Sequence, residues 1–190
     1  MPAKKRTAIL ANIICKLCRQ AGKGKKAHII PEAFFRALSG YDEKLRLITN
    51  QTGQNRPRRS PIGIYDPELV CEQCEDRFLP CDTYAAEVLL NRMAHLETGQ
   101  QRSELFVAVD YHKLKMFFIS VLWRASATSH QFFALSKVGP YEETARQSIL
   151  ANNSGSEDNF ACHITRWVSV TGKNTGIDFW AHRLPSGPMA

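Results

Sequence analysis

This 190-residue chain contains two short cysteine motifs, Cys15-Lys-Leu-Cys18 and Cys71-Glu-Gln-Cys74. Each motif supplies two thiols from one tight turn, and two such pairs commonly hold a tetrahedral zinc ion through four thiolates. The long segment between the pairs is tolerable, because the entropy of loop closure rises only slowly with loop length. We therefore predict one structural zinc site with four cysteine ligands.

Two further cysteines, Cys81 and Cys162, stand alone and are interpreted as buried thiols. Disulfides are not expected, because the first residues carry no continuous apolar stretch of a secretory signal. No run of 18 apolar residues exists, so the sequence predicts no membrane span. We expect a cytoplasmic protein.

The charge of the chain is strongly asymmetric. Residues 1–60 hold 14 of the 25 Lys and Arg residues but only 3 of the 18 Asp and Glu residues. A basic segment on an otherwise acidic chain favours a polyanionic partner, most often nucleic acid, although a solvated surface is the open alternative. The basic residues that we single out are Lys23, Lys25, Lys26, Arg56, Arg58 and Arg59.

The hydrophobic pattern predicts an α+β protein. Residues 15–30 are typical of a β-hairpin with His28 on its second strand, followed by a helix over 31–38. Helices are predicted over 75–96, with a break near Pro80, and over 110–127 and 141–151. Strands are predicted over 160–170 and 177–181. We divide the chain into a zinc module at 9–100 and a mostly helical body at 101–185.

The combination of motifs resembles the zinc-stabilised HNH, or ββα-metal, nucleases. The resemblance rests on the two cysteine pairs, on Lys26-Ala-His-Ile-Ile-Pro-Glu-Ala-Phe-Phe and on Leu69-Val-Cys-Glu-Gln-Cys-Glu-Asp-Arg-Phe. The later Phe118-Ile-Ser-Val-Leu-Trp-Arg-Ala-Ser is also similar to a group of small bacterial and phage proteins labelled HNH-endonuclease-like. The resemblance implies a treble-clef-type zinc module and extends over about residues 10–150.

This resemblance implies a role for each matching residue. Cys15, Cys18, Cys71 and Cys74 take the zinc-ligand positions, and His28 takes the position of the general base that accepts a proton from water. The residue before the base is usually a metal ligand in the family, but here it is Ala27. The family usually has a His or Asn ligand on the helix after the second cysteine pair; here Glu75 follows Cys74 instead, and its carboxylate suits Mg²⁺ or Mn²⁺.

Alternative interpretations of these residues stay open. His28 is alternatively a zinc ligand or a structural histidine, and Glu75 is alternatively a charge that favours a helix start. Trp123-Arg124, on an apolar helix, is interpreted as packing plus a buried or partly buried ion pair.

We expect a metal-dependent nuclease that hydrolyses phosphodiester bonds in DNA. Ala27 and Glu75 depart from the family pattern and favour a catalytically inactive zinc-dependent nucleic-acid-binding protein instead. A protein–protein adaptor with a purely architectural zinc is the third alternative.

Overall fold

The computed structural model describes residues 11–38, 46–47, 58–59, 63–92, 109–168 and 174–181. Over these ranges the protein is a mixed α/β structure in which small antiparallel sheets of two strands accompany the helices. The predicted α+β class is therefore confirmed.

The first cysteine pair lies inside a short β-hairpin. Strand β1 (Asn12–Ile14) pairs with β2 (Ala21–Lys23), and the chain between them forms the turn that carries Cys15 and Cys18. Helix α1 (Glu32–Leu38) follows, with Pro31 just before it, as the sequence predicts. Farther along, β4 (Arg46–Leu47) pairs with β5 (Arg58–Arg59).

The predicted pairing of His28 is wrong. His28 belongs to a separate strand, β3 (Ala27–His28), which pairs with β6 (Tyr65–Asp66) rather than with the first strand of the hairpin. The chain changes partner at Gly24, whose N–H donates to Ala11, while the next N–H, of Lys25, donates to Val70. This crossing joins the hairpin to the second cysteine pair.

The long helix predicted after the second cysteine pair is divided. Helix α2 (Glu72–Glu75) forms a single turn, and α3 (Leu79–Ala86) begins with Pro80 in its first turn, which confirms the predicted break. A π-helical turn at Glu87–Arg92 continues α3. The predicted end near residue 96 lies outside the described residues.

The later helices and strands agree closely with the sequence pattern. Helix α4 (Tyr111–Ala127) begins where the Asp110 carboxylate accepts a hydrogen bond of 3.0 Å from the N–H of Lys113. Helix α5 (Tyr141–Ala151) follows a short 3₁₀ turn at Gln131–Phe133. The last described elements are β7 (Cys162–Val168) and β8 (Asn174–Ala181), which pair antiparallel.

Buried apolar side chains from the two cysteine turns and from α3, α4 and α5 form one continuous cluster. Leu17 and Ile29 from the first part of the chain lie in the same cluster as Ile119, Trp123 and Ile149. The predicted domain boundary at residues 100–101 lies outside the described residues. Within the described ranges, no helix combines the length and the apolar composition that a membrane span requires.

Candidate functional site

The four predicted zinc ligands lie together. The Sγ atoms of Cys15, Cys18, Cys71 and Cys74 are all within 4.8 Å of one another, and Cys18 Sγ is 4.0 Å from Cys71 Sγ. Four sulfurs at the Zn–S distance of about 2.3 Å, arranged as a tetrahedron, lie about 3.8 Å apart. The arrangement therefore fits a metal ion such as zinc, with all four positions supplied by the protein.

The first cysteine turn is shaped by its own backbone. The N–H of Arg19 donates to the carbonyl of Cys15 at 2.8 Å, and the N–H of Cys18 points to Cys15 Sγ at 3.5 Å. Arg19 has a positive φ of 63°, a conformation that residues other than glycine adopt at an energetic cost. The turn thereby directs both thiols to the same side.

The second cysteine turn is the start of a helix. Cys71 precedes α2, and its carbonyl accepts the N–H groups of Cys74 and Glu75, each at 3.0 Å. The hairpin approaches this turn closely, because a Cβ added at Gly22 would lie 3.0 Å from the Cβ of Cys71. Glycine at this position lets β2 carry the first pair of thiols up to the second.

The thiols of the cluster differ in acidity. Burial raises the pKa of Cys15, but backbone N–H groups of Cys18 and Cys71 outweigh burial and lower that pKa to about 7. Burial and the neighbouring charge of Cys15 raise the pKa of Cys74. Metal binding must therefore displace protons from the cluster, as it does in thiolate sites generally.

Neither His28 nor the two remaining cysteines, Cys81 and Cys162, belong to this cluster. Among the described residues, the four cysteines are the one group of at least three Cys, His, Asp or Glu side chains close enough to hold a single ion. Cys81 is buried and Cys162 is half-buried, both as free thiols. His28 is not a member of the group, so the alternative of His28 as a zinc ligand is not supported.

His28 and Glu75, the two predicted catalytic residues, line the same cleft. The cleft has a volume of about 560 Å³ and is bordered by α1, α3 and the π-helical turn. Asp82 and Arg124 also line it. The fold therefore brings together His28 and Glu75, which are distant in sequence, beside the cysteine cluster.

Glu75 is the most perturbed carboxyl group of the cleft. Burial raises its pKa to about 7, with the charge of Asp82 adding to the effect and that of Arg124 opposing it. Its Oε2 atom is buried and accepts no hydrogen bond from the described residues. A carboxylate oxygen in this state is suited to receive a proton or a cation.

The imidazole of His28 is held by its strand and its neighbours. His28 lies opposite Tyr65 in the β3–β6 pair, and the two rings meet edge to face with centroids 6.0 Å apart. The backbone carbonyl of His28 accepts a hydrogen bond of 2.9 Å from Arg124 Nη1. Helix α4 thereby fixes the strand that carries His28.

Arg124 confirms the predicted buried ion pair and reveals its partner. Its guanidinium, 1% exposed, donates to both carboxylate oxygens of Asp82, at 3.0 and 2.7 Å. It also donates to Ser120 and lies over the ring of Phe78, 4.7 Å from the centroid. An arginine in an apolar helix indicates an ion pair, but the sequence alone does not identify the acidic partner, which comes from another part of the fold.

The predicted basic residues are only partly described. Lys23, Lys25 and Lys26 are exposed; Lys23 pairs with Glu72 at 3.4 Å, and Lys26 lies over the ring of Tyr65, 5.3 Å from its centroid. The backbones of Arg58 and Arg59 form β5. Arg56 lies outside the described residues.

Lys25 and Lys26 lie close to the cleft. The charge of Lys25 reaches Glu75 and opposes the rise of its pKa, and Tyr65, beneath Lys26, faces His28. Neither lysine is among the residues that line the cleft, but Lys25 lies within electrostatic range of Glu75, and Lys26 contacts the ring that faces His28.

Comparison of the chain with protein-family models, with curated proteins and with solved structures finds no match in any of the three. The resemblance to the HNH nucleases consequently stays a prediction from the sequence.

Proposed function

We propose that this protein is a zinc-stabilised, metal-dependent nuclease that hydrolyses phosphodiester bonds in DNA. The observation that supports the proposal is that His28 and Glu75 both line one cleft, and Glu75 directly follows Cys74 of the four-cysteine cluster. In this proposal the hairpin β1–β2, the second cysteine turn and α3 form a treble-clef-type module around zinc.

His28 is the general base in this proposal. An imidazole has an ordinary pKa near the working pH, so it can accept a proton from the attacking water and later release it. The Arg124 hydrogen bond to its carbonyl and the edge contact with Tyr65 restrict where its ring lies. A fixed ring lowers the entropic cost of reaching the reactive geometry.

Glu75 is the proposed ligand of a catalytic Mg²⁺ or Mn²⁺ ion. Its buried Oε2, which accepts no hydrogen bond from the described part of the chain, fits a hard cation, and Mg²⁺ is commonly bound by only one or two carboxylates together with water and substrate phosphate. When bound, such an ion stabilises negative charge on the phosphate and the leaving oxygen.

Lys25 and Lys26 are the proposed contacts to the phosphate backbone near the cleft. Both side chains are exposed; Lys25 lies within electrostatic range of Glu75 and Lys26 lies over the ring of Tyr65, so each ammonium group can pair with a phosphate oxygen. Contacts of this kind orient the substrate without reading its base sequence.

The test is Mg²⁺- and Mn²⁺-dependent cleavage of single- and double-stranded DNA by the purified protein. We expect His28→Ala to reduce cleavage by about 10²–10⁴-fold while zinc content and DNA affinity persist. His112→Ala is the matched control, because His112 bonds Ser154 and lies outside the cleft. Equal activity of both variants would contradict the role of His28.

A second candidate is a nucleic-acid-binding protein without catalysis, and one observation favours it. Asp82, the carboxylate that would most readily join Glu75 around a cation, is held in a two-point ion pair by Arg124. Salt-dependent DNA binding by wild type, without cleavage of any substrate in either metal, would select this candidate.

A further inference from the structure

A second cavity lies apart from the cleft, between the first turns of α4 and the start of β7. Its volume is about 420 Å³, within the range of small-molecule sites. Its described walls are mostly apolar and include Val109, Leu114, Phe118 and Ile164. A cavity of this size and lining can take up the hydrocarbon part of a small ligand.

One charged side chain, Lys115, lines this apolar cavity. Lys115 is 2% exposed, and its Nζ donates one hydrogen bond of 2.6 Å, to the carbonyl of Ser156. The ammonium also lies 5.5 Å from the centroid of the Tyr111 ring. An ammonium group has three N–H donors, so this single bond leaves donor capacity for a ligand.

Lys115 has no ion-pair partner among the described residues. Lysine side chains this deeply buried are almost always paired with an acidic group. Burial lowers the pKa of Lys115, and Cys162, Glu157 and Asp158 oppose this effect; Glu157 and Asp158 are both exposed. The thiol of Cys162, which also lines the cavity, has a pKa raised by burial and is therefore neutral.

We propose that this cavity binds a small apolar carboxylate, whose carboxylate accepts hydrogen bonds from Lys115 Nζ while its hydrocarbon part fills the space beside Leu114, Phe118 and Ile164. The carboxylate supplies the negative charge that the described surroundings of Lys115 lack. The apolar walls pack against the hydrocarbon part, and partial shielding from water strengthens the charged hydrogen bond. The site is independent of the proposed nuclease cleft.

The first test compares three ligands of one chain length on the wild-type, zinc-loaded protein by titration calorimetry. We expect decanoate to bind about ten- to a hundredfold more tightly than decanol, and decylamine to bind least, because only decanoate pairs with an ammonium. Equal affinity for decanoate and decanol, or no saturable decanoate binding below about 1 mM, would overturn the proposal.

Two variants locate the binding. Lys115→Met should remove the preference for decanoate and leave decanol binding intact, whereas Lys113→Met, on the exposed side of the same helix, should change neither. Ile164→Trp should fill the cavity and weaken both ligands. An unchanged decanoate affinity in Lys115→Met or in Ile164→Trp would refute the site, whichever of the two variants folds.

Discussion

The two cysteine turns are alike in sequence, but the protein holds them in different ways. The second turn, at Cys71 and Cys74, is fixed by backbone contacts: it begins a helix, and Gly24 forms a bridge with Cys71. The first turn, at Cys15 and Cys18, has backbone hydrogen bonds as well, but it is also joined by long-range side-chain contacts to α5 and to the end of α4. Identical C-x2-C motifs can thus depend on different parts of one chain.

Four long-range side-chain contacts hold the first turn. Lys16 Nζ donates to the carbonyl of Ala127 at 2.7 Å and to the hydroxyl of Ser129 at 2.8 Å. On the other side, Arg146 donates to the carbonyl of Leu17, and Arg19 pairs with Glu143. Because these partners lie more than 100 residues away, the first half of the zinc cluster depends on the helices of the second half of the chain.

Removing one sulfur should have the largest effect and should affect both turns equally. Cys71→Ser and Cys18→Ser each delete one of four ligands, so we expect loss of the metal and of most of the fold, since structural zinc contributes about 10 kcal/mol or more. Metal analysis should find about one zinc per wild-type chain and none in either variant. Cys81→Ser, which changes a thiol outside the cluster, is the control. A folded, zinc-free wild type would contradict this prediction.

Gly24→Ala tests the backbone contact of the second turn. The added Cβ would lie 2.5 Å from the carbonyl oxygen of Pro67, a backbone atom that cannot rotate away. We expect a loss of about 3 kcal/mol in the free energy of unfolding, measured with urea. Gly139→Ala is the control, because its added Cβ would meet no atom within 4 Å. At its φ of +57°, we expect only the cost of placing alanine in a left-handed conformation, about 1 kcal/mol. Equal losses would show that close approach is unimportant at Gly24.

Arg146→Met tests the side-chain contacts of the first turn. Arg146 is 7% exposed, and its loss leaves the buried carbonyl of Leu17 without this charged donor. We expect the free energy of unfolding to fall by about 2 kcal/mol, with zinc stoichiometry unchanged and zinc release to a chelator faster. Arg36→Met, in an exposed helical pair with Glu32, should cost less than about 0.5 kcal/mol. An unchanged rate of zinc release in Arg146→Met would show that the first turn does not depend on this side-chain contact.

The sequence was sufficient for features that depend on local spacing. Four cysteines in two pairs predicted the cluster, and Asp110 followed by an apolar period predicted α4. The sequence was insufficient for predicting which distant residue a given side chain or strand contacts, because a local pattern does not identify a residue from another part of the chain. The strand that pairs with His28 and the carboxylate that pairs with Arg124 are both of this kind.

Replacing Glu143 should have the smallest effect on the free energy of unfolding, and this effect should depend on pH. The hydrogen bond from Arg146, followed by that from Gln147, lowers the pKa of Glu143 to about 2 from its ordinary value of 4.5. A carboxyl group whose pKa is lowered by folding stabilises the protein fully above its unfolded pKa, and this contribution disappears as the pH falls through the folded pKa. Glu143→Gln should therefore be slightly less stable than wild type at pH 7, and the difference should shrink between about pH 4.5 and pH 2. The effect is measured as the urea midpoint of unfolding of both proteins across this pH range, and Glu68→Gln, at an exposed position, is the control. A stability difference that grows on acidification would show that Glu143 does not hold the first turn through its charge.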